Sequence, residues 1–267
     1  MNLRKIIILI FSIFFLISGG YSQKWKLRRY EGVVGIGTAH YFGDLGGTPA
    51  KNNLFGIKDI ELFNTRPSFY IAARYKIRQN MAVKANFIYG FLKGDDDRGR
   101  NIDRNYAFSS MIFEPSAQFE FSIISEEQRY RTNAMFNKRG MINNYSHYNL
   151  YAFAGVGGIF GWVTPKRNLI NIDNIYGINK FPVGLTFPIG LGFKYVMSAN
   201  LSIGAEFGGR LTTTDWLDGY APNIIYPGTN FSKAQDIYYF ADFNVIYRIK
   251  TSRRGLPVIG KRRASFI

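Results

Sequence analysis

Residues 183–195 read VGLTFPIGLGFKY, and this stretch decides the fold class. Large apolar side chains occupy every second position from Leu185 to Tyr195, while glycine, threonine, proline and lysine stand between them. A repeat of two places the two sets on opposite faces of a β-strand. Residues 201–212 and 239–249 show the same alternation, with charged side chains on the second face. The stretch therefore predicts a sheet that has one apolar and one polar face.

The alternation extends over most of the chain and predicts eight strands. In two of them, 31–42 and 149–162, the facing is ambiguous because both sets of positions hold small or apolar residues. Each strand is near the nine to eleven residues that a tilted membrane strand requires. The predicted strands are residues 31–42, 68–77, 81–92, 113–123, 149–162, 183–195, 201–212 and 239–249.

The composition of the two faces separates a membrane barrel from a soluble sandwich. The apolar faces are continuous and rich in aromatic residues, and the opposite faces combine glycine with charges of both signs. A sandwich would bury the first face and expose the second, which gives no reason for glycine beside the charges. We therefore predict an all-β fold: an eight-stranded antiparallel up-and-down transmembrane β-barrel whose polar faces line a crowded lumen.

The N-terminal residues have the features of an export signal. Two basic residues precede an apolar core over 6–17, and Gly20 and Ser22 supply the small side chains that signal peptidase requires. An uncleaved anchor is the alternative, but twelve helical residues rise only about 18 Å, against about 30 Å of hydrocarbon. The absence of cysteine excludes disulfides and thiolate metal sites. The predicted organisation is a signal peptide (1–22), an outer-membrane barrel with long loops (23–250) and a basic periplasmic tail (251–267).

Loop lengths predict the orientation of the barrel. Bacterial barrels have short periplasmic turns and longer outer loops, so both termini are expected in the periplasm. The connections 78–80 and 196–200 are then periplasmic turns, and 125–148 is an unusually long periplasmic link. The expected extracellular segments are 43–67, 93–104, 163–182 and 214–235.

The net charge of +16 is concentrated in the predicted periplasmic segments, whereas the outer loops are nearly neutral. A positive face can attract an acidic protein partner or anionic lipid headgroups, and charge alone does not choose between them. Nucleic acid is excluded as a partner because the compartment offers little of it. The candidate partner-docking residues, in the 125–148 link and the tail, are Arg129, Arg131, Lys138, Arg139, Arg253, Arg254, Lys261, Arg262 and Arg263.

The lumen face carries charges that are expected to form ion pairs, because buried charges are tolerated only when they are paired. Arg210 is expected to face an acid such as Glu206 or Glu120. We predict that these side chains fill the lumen, and a through-channel is the less favoured alternative. The predicted ion-pair network is Arg74, Lys84, Glu114, Glu120, Lys194, Glu206, Arg210, Asp242 and Arg248, with Lys76 on the same face.

Catalytic and metal sites are poorly supported. The two histidines, His40 and His147, are expected at opposite ends of the barrel and cannot share a metal ion. A rim site made of His40, Ser109 and Asp44 is possible in composition but is not favoured by spacing. The acids at 95–97 and Asp103 lack the glycine and terminal glutamate of a helix–loop–helix calcium site, so a solvated acidic loop is expected. We predict no enzyme activity and no cofactor.

Several stretches together resemble a known family. They are GDLGG (43–47), DRNYAF (103–108), FEPS (113–116), YAFAGVG (151–157), FPIGLGFKY (187–195), AEFGGR (205–210) and TTTDWLD (212–218). Their order and spacing are similar to the PorG-type outer-membrane barrels of the type IX secretion system of Bacteroidota, over nearly the whole mature chain.

The resemblance implies a non-enzymatic barrel that associates on its periplasmic side with the ring lipoprotein PorK and with PorN. It also implies a role in exporting proteins that carry a C-terminal sorting domain. Two alternatives remain open: a stand-alone porin or adhesin that acts through its outer loops, and an outer-membrane lipid-modifying enzyme that uses the rim near His40.

Overall fold

Eight strands form a closed barrel in which every strand pairs antiparallel with its sequence neighbours, and the first strand pairs with the last. The computed structural model describes residues 28–43, 45, 65–98, 102–126, 147–221, 236–252 and 256–257. The predicted fold class, an eight-stranded antiparallel up-and-down barrel, is confirmed. The strands are β1 (Tyr30–Phe42), β2 (Arg66–Arg78), β3 (Met81–Asp95), β4 (Tyr106–Ile124), β5 (Tyr148–Arg167), β6 (Val183–Val196), β7 (Leu201–Thr212) and β8 (Ile237–Ile249).

The apolar faces point outward. Ile189 of β6 is 54% exposed, whereas Thr186 and Lys194, which face inward on the same strand, are buried. The same alternation holds for the other strands, so large aliphatic and aromatic side chains cover the outer wall of the barrel. A protein in water would bury these groups, whereas a lipid bilayer accommodates them. The barrel is therefore built to span a membrane.

The two strands with ambiguous facing resolve in the same way. In β1 the outward positions hold Val34 and Ile36, and Glu31 points into the lumen. In β5 the aromatic rings of Tyr151 and Phe153 point inward. The glycines opposite them make room: a Cβ on Gly192 would lie 2.2 Å from the ring of Tyr151. Glycine is therefore needed on the lumen face to leave space for aromatic rings as well as for long charged side chains.

Two ends of the barrel differ in their connections. One end, which we call the turn end, carries the two-residue turn between β2 and β3 and the 197–200 turn. The first residue of β1 and the last residue of β8 also lie at this end. The long connection 125–147 between β4 and β5 also belongs to the turn end, and the other end, the loop end, carries the connections 43–65, 96–105, 168–182 and 213–236. The predicted strand limits were wrong at the loop end, because β4 and β5 contain 19 and 20 residues and continue beyond the predicted strands. At the loop end these two strands remain hydrogen-bonded to each other, but their side chains no longer alternate between apolar and polar as they do next to lipid.

A helix that the alternation did not predict, α1 (Leu169–Tyr176), follows β5 at the loop end. Its buried residues Leu169 and Ile172 join side chains from the strands in an apolar cluster, the loop-end core. No helix in the described part of the chain is long and apolar enough to cross a membrane. The loop-end core consists of Ala39, Leu45, Leu92, Phe108, Ile112, Ile159, Val163, Leu169, Ile172, Ile178, Leu217, Tyr220 and Tyr238.

Candidate functional site

The lumen brings the predicted network residues together. All nine point inward, and none is more than 4% exposed. With Lys76 and two further acids, Glu31 and Glu126, the lumen network contains six basic and six acidic side chains, and the buried acids Asp218 and Asp236 lie apart from it beside Tyr41 at the loop end. Because buried charges are costly unless they are paired, equal numbers of the two signs are what a filled lumen requires.

The middle of the lumen holds a central layer of two acids and two bases. Lys84 Nζ lies 2.7 Å from one carboxylate oxygen of Glu206 and 3.0 Å from Glu120. Arg74 donates to Glu120 at 3.0 Å through Nη2, which also lies 3.4 Å from Glu206. The Tyr151 hydroxyl donates to Glu206 at 2.7 Å. Each acid therefore has two cationic partners, and the layer crosses the lumen from β2 and β3 to β7.

The turn end of the lumen holds a second layer, in which two acids face three bases. Lys194 Nζ lies 2.7 Å from Glu31 and 3.1 Å from Glu126. Lys76 contacts both acids, and Arg248 Nη2 lies 2.7 Å from Glu126. Arg74 also reaches Glu31, at 3.1 Å, and so links this layer to the central one.

Glu31 and Glu126 are the members of the network that the sequence analysis missed. Glu31 lies on β1, whose facing was ambiguous in the sequence. It lies two residues before Val33, so the two side chains share one face of the strand, and that face is the inward one. Glu126 lies outside β4, after a register shift between Ser122 and Ile124. A bulge breaks the period of two, so alternation could not have assigned its facing.

Burial alone would raise the pKa of Glu126, but its surroundings act in the opposite direction. Lys194, Lys76 and Arg248 together hold the pKa of Glu126 below its usual range. The carboxylate is therefore ionised at neutral pH, and its negative charge is what the three bases compensate.

Arg210 lies nearer the loop end, and the sequence left open which acid it faces. The acid that it faces is Glu114, with Nε 3.7 Å from the carboxylate, and not Glu206 or Glu120. The Tyr238 hydroxyl donates to the same carboxylate. The guanidinium also lies over the ring of Phe240, 4.6 Å from its centroid. The last predicted member of the network, Asp242, accepts a hydrogen bond from Asn244 at 2.7 Å.

The charged layers and the loop-end core together occupy the lumen along its length, so we expect the purified barrel to be closed to ions. Planar bilayers into which the wild-type protein has been inserted should show no stable single-channel conductance. Reproducible conductance steps from the intact, folded protein would contradict the closed lumen.

The predicted rim residues do not form a catalytic group. His40 lies on β1 and its ring contacts the Thr65 hydroxyl, whereas Ser109 lies on β4. Two strands separate them, so the two outward positions are about 14 Å apart along the sheet. Asp44 lies outside the described residues. His147 immediately precedes β5 at the turn end, so the two histidines lie at opposite ends of the barrel.

The loop-end acids bind arginines. Arg104 Nε lies 2.8 Å from Asp96, and Arg167 Nη1 lies 2.8 Å from Asp95 and also contacts Asp97. Asp103 is exposed. In the described residues, no group of three or more histidine or acidic side chains is arranged to hold a metal ion.

The turn end has a one-signed surface where the structure describes it. Arg78 and Lys250 are exposed and Arg29 is half-buried, and the described segments of this end expose no acidic side chain. The predicted partner-docking residues lie outside the described residues. They are Arg129, Arg131, Lys138, Arg139, Arg253, Arg254, Lys261, Arg262 and Arg263.

Comparison with known proteins identifies no family by sequence: no family model and no curated protein matches this chain. Among solved structures, the chain is similar to the outer membrane protein OprG of Pseudomonas aeruginosa, with 8% identity, a TM-score of 0.43, and coverage of 84% of this chain and 98% of that one. It is also similar to Ail, the attachment invasion locus protein of Yersinia pestis (14% identity, TM-score 0.40, 82% and 99% covered). A third is the N-terminal β-barrel domain of P. aeruginosa OprF (10% identity, TM-score 0.37, 83% and 98% covered).

Proposed function

We propose that this chain is a non-enzymatic outer-membrane barrel, a subunit of a protein secretion complex that docks a periplasmic partner through its turn end. In this proposal the turn end faces the periplasm and the loop end faces the cell exterior. The predicted signal peptide and the apolar outer wall support insertion into the outer membrane.

The observation that carries the proposal is the filled lumen. Twelve buried charged side chains, in equal numbers of each sign, and an apolar core at the loop end occupy the described lumen. A barrel whose lumen is filled in this way is expected to act through the surfaces at its two ends. The described turn end exposes only basic charges, whereas at the loop end Arg104, Arg167 and Lys180 each pair with an acid.

A surface with basic charges only produces a positive field that attracts an acidic partner. Paired charges of opposite sign largely cancel each other and attract a partner less. The resemblance to PorG-type barrels gives that partner a candidate identity, the periplasmic ring of PorK and PorN in the type IX secretion system. The nine basic residues of the 125–148 link and the tail would add to the same face.

Charge reversal in the tail tests this proposal. Changing Arg253, Arg254, Arg262 and Arg263 to Glu should release the co-purifying periplasmic partner and reduce protein secretion, because attraction becomes repulsion. Exposed charges act over a Debye length of about 8 Å at physiological salt, so recovery of the partner by the wild-type barrel should also fall as salt rises.

Membrane insertion of the quadruple variant is the control, because all four residues follow Ile249, the last residue of β8, in the chain. Heat-modifiable migration in gels should be unchanged. If the variant still recovers the partner and secretes normally, the tail has no docking role, and contact with anionic lipid headgroups explains its charge.

A second candidate function is adhesion through the loop end, and one observation favours it. Ile175 and Tyr176 of α1 are 70% and 52% exposed, and the ring of Phe181 packs 4.9 Å from that of Trp162 on the outer surface. Exposed apolar groups of this kind contribute to binding surfaces. Binding of cells or purified matrix proteins that is lost in Ile175→Ser with normal secretion would favour this alternative.

A further inference from the structure

Glu126 enters the lumen from outside the barrel wall. The other eleven charged side chains of the lumen network belong to strands, whereas Glu126 follows the last residue of β4 by two positions. Its side chain is nevertheless buried, with both carboxylate oxygens engaged: Oε1 contacts Lys76 and Lys194, and Oε2 lies 2.7 Å from Arg248. The Glu126 carboxylate, which comes from outside the strands, therefore binds to three basic side chains that the strands provide.

The three bases form a complete receptor for one carboxylate. They come from three different strands, β2, β6 and β8, so closure of the barrel fixes their positions independently of the 125–126 segment. Their shared strand-borne acid is Glu31. With Glu126 removed, three buried cations would share that acid with Arg74, and the local charge would be strongly positive.

The space around this receptor reaches the turn end. A cavity of about 10 Å³ lies beside it, lined by Lys76 and Lys194 from the receptor and by Gln79 from the β2–β3 turn. Asn149, which is 4% exposed, also lines the cavity, and its Oδ1 accepts no hydrogen bond from the described residues. That volume corresponds to about one water molecule. A water molecule therefore fits between Lys76 and Lys194 of the receptor and Gln79 of the β2–β3 turn.

We propose that Lys76, Lys194 and Arg248 form a carboxylate-binding site at the turn end, which Glu126 occupies as an exchangeable internal ligand and which an acidic side chain of the docked partner takes over. The proposal deepens the proposed function, on which the identity of the occupant rests. Exchange would free the side chain of Glu126 from the lumen at the moment when the partner binds.

Chemical rescue tests the site on the purified barrel without any partner. Glu126→Ala should lower the midpoint of thermal unfolding, and sodium acetate should raise it again, by an amount that grows with the logarithm of the acetate concentration. Sodium chloride at equal ionic strength and neutral acetamide should not do so. Failure of acetate to raise the midpoint above that in chloride would overturn the carboxylate site.

Glu206→Ala is the matched control, because it also removes a buried glutamate but from the central layer, on a strand. Acetate should not restore this variant. Equal rescue of both variants would show a general effect of acetate on the barrel and would also overturn the proposal.

Exchange can be measured on a chain that retains Glu126, so the test does not depend on the folding of the alanine variant. A nitroxide label on Ser125→Cys should gain a mobile component when a glutamate-rich peptide is added, and not with a lysine-rich one. An unchanged spectrum would mean that Glu126 is a fixed anchor. Because neither experiment includes the secretion partner, their failure would leave the docking of the turn end standing, and failure of the tail charge reversal would leave this site standing.

Discussion

Glu206→Gln should lower the free energy of unfolding by about 3–5 kcal/mol, because it removes one charge from a buried network and leaves its partners uncompensated. The glutamine is nearly isosteric, so the loss reports charge and not volume. Lys84 would keep Glu120 at 3.0 Å but lose its bidentate contact with Glu206, at 2.7 and 2.8 Å. Denaturant titration in detergent micelles, followed by tryptophan fluorescence, measures the change.

Removing both partners should cost less than removing one. In the double variant Lys84→Met/Glu206→Gln the uncompensated cation is gone, so part of the lost stability should return. Asp103→Asn, which removes the same charge from an exposed position, should change stability by less than about 0.5 kcal/mol. If the double variant is as unstable as the sum of the single variants, the two side chains are not energetically paired.

Ile189→Arg should destabilise the barrel by about 2–4 kcal/mol, because it places a cation on the lipid-facing wall at mid-membrane depth. Ile189 is exposed and lies near the middle of β6. The reduced fraction of heat-resistant, fast-migrating protein in gels and the unfolding titration both measure the effect.

The same substitution at the end of the same face is the control. Val183→Arg lies at the loop-end start of β6 and should cost only about 0–1 kcal/mol, because it reaches the membrane interface. The near-isosteric lumen change Thr186→Val should also cost far less than Ile189→Arg. Equal costs at positions 183 and 189 would contradict the assignment of this face to lipid.

The fold class could be predicted from sequence because lipid imposes a strict rule on each strand. Stretches such as 183–195 and 201–212 alternate without interruption, and the structure places their strands over almost the same residues. The rule acts only where lipid lies on one side. Beyond the membrane the alternation relaxes, which is why the loop-end extension of β5, 163–167, was predicted as loop and the predicted β4 strand did not include 106–112.

The loop-end core lay beyond the reach of periodicity for a related reason. Leu169 and Ile172 of α1 and Leu217 of the β7–β8 connection are buried together, but they come from segments without a common repeat. Their burial follows from how the connections fold back over the barrel mouth. Sequence alone suggested that charge pairs fill the lumen, whereas apolar packing closes one end of it.

Membership of the charged network was predictable where the strand parity was known. Lys84, Glu206 and Arg210 lie on strands with clear alternation, and all three point inward. Which base faces which acid depends on the stagger of strands around the barrel, and sequence does not report that stagger. Arg210 therefore faces Glu114 on β4, a strand on the other side of the lumen.

Site-specific photo-cross-linking tests the docking of the turn end most directly. A photoreactive amino acid would replace Arg78, which is exposed at the turn end, or Ile175, which is 70% exposed at the loop end, in otherwise wild-type cells. Irradiation, affinity purification and mass spectrometry would then identify any protein joined to each position. We expect an adduct with a periplasmic protein from position 78 and none with that protein from position 175. Adducts confined to position 175, or a barrel recovered without any partner from position 78 while secretion is active, would contradict a subunit that docks through its turn end.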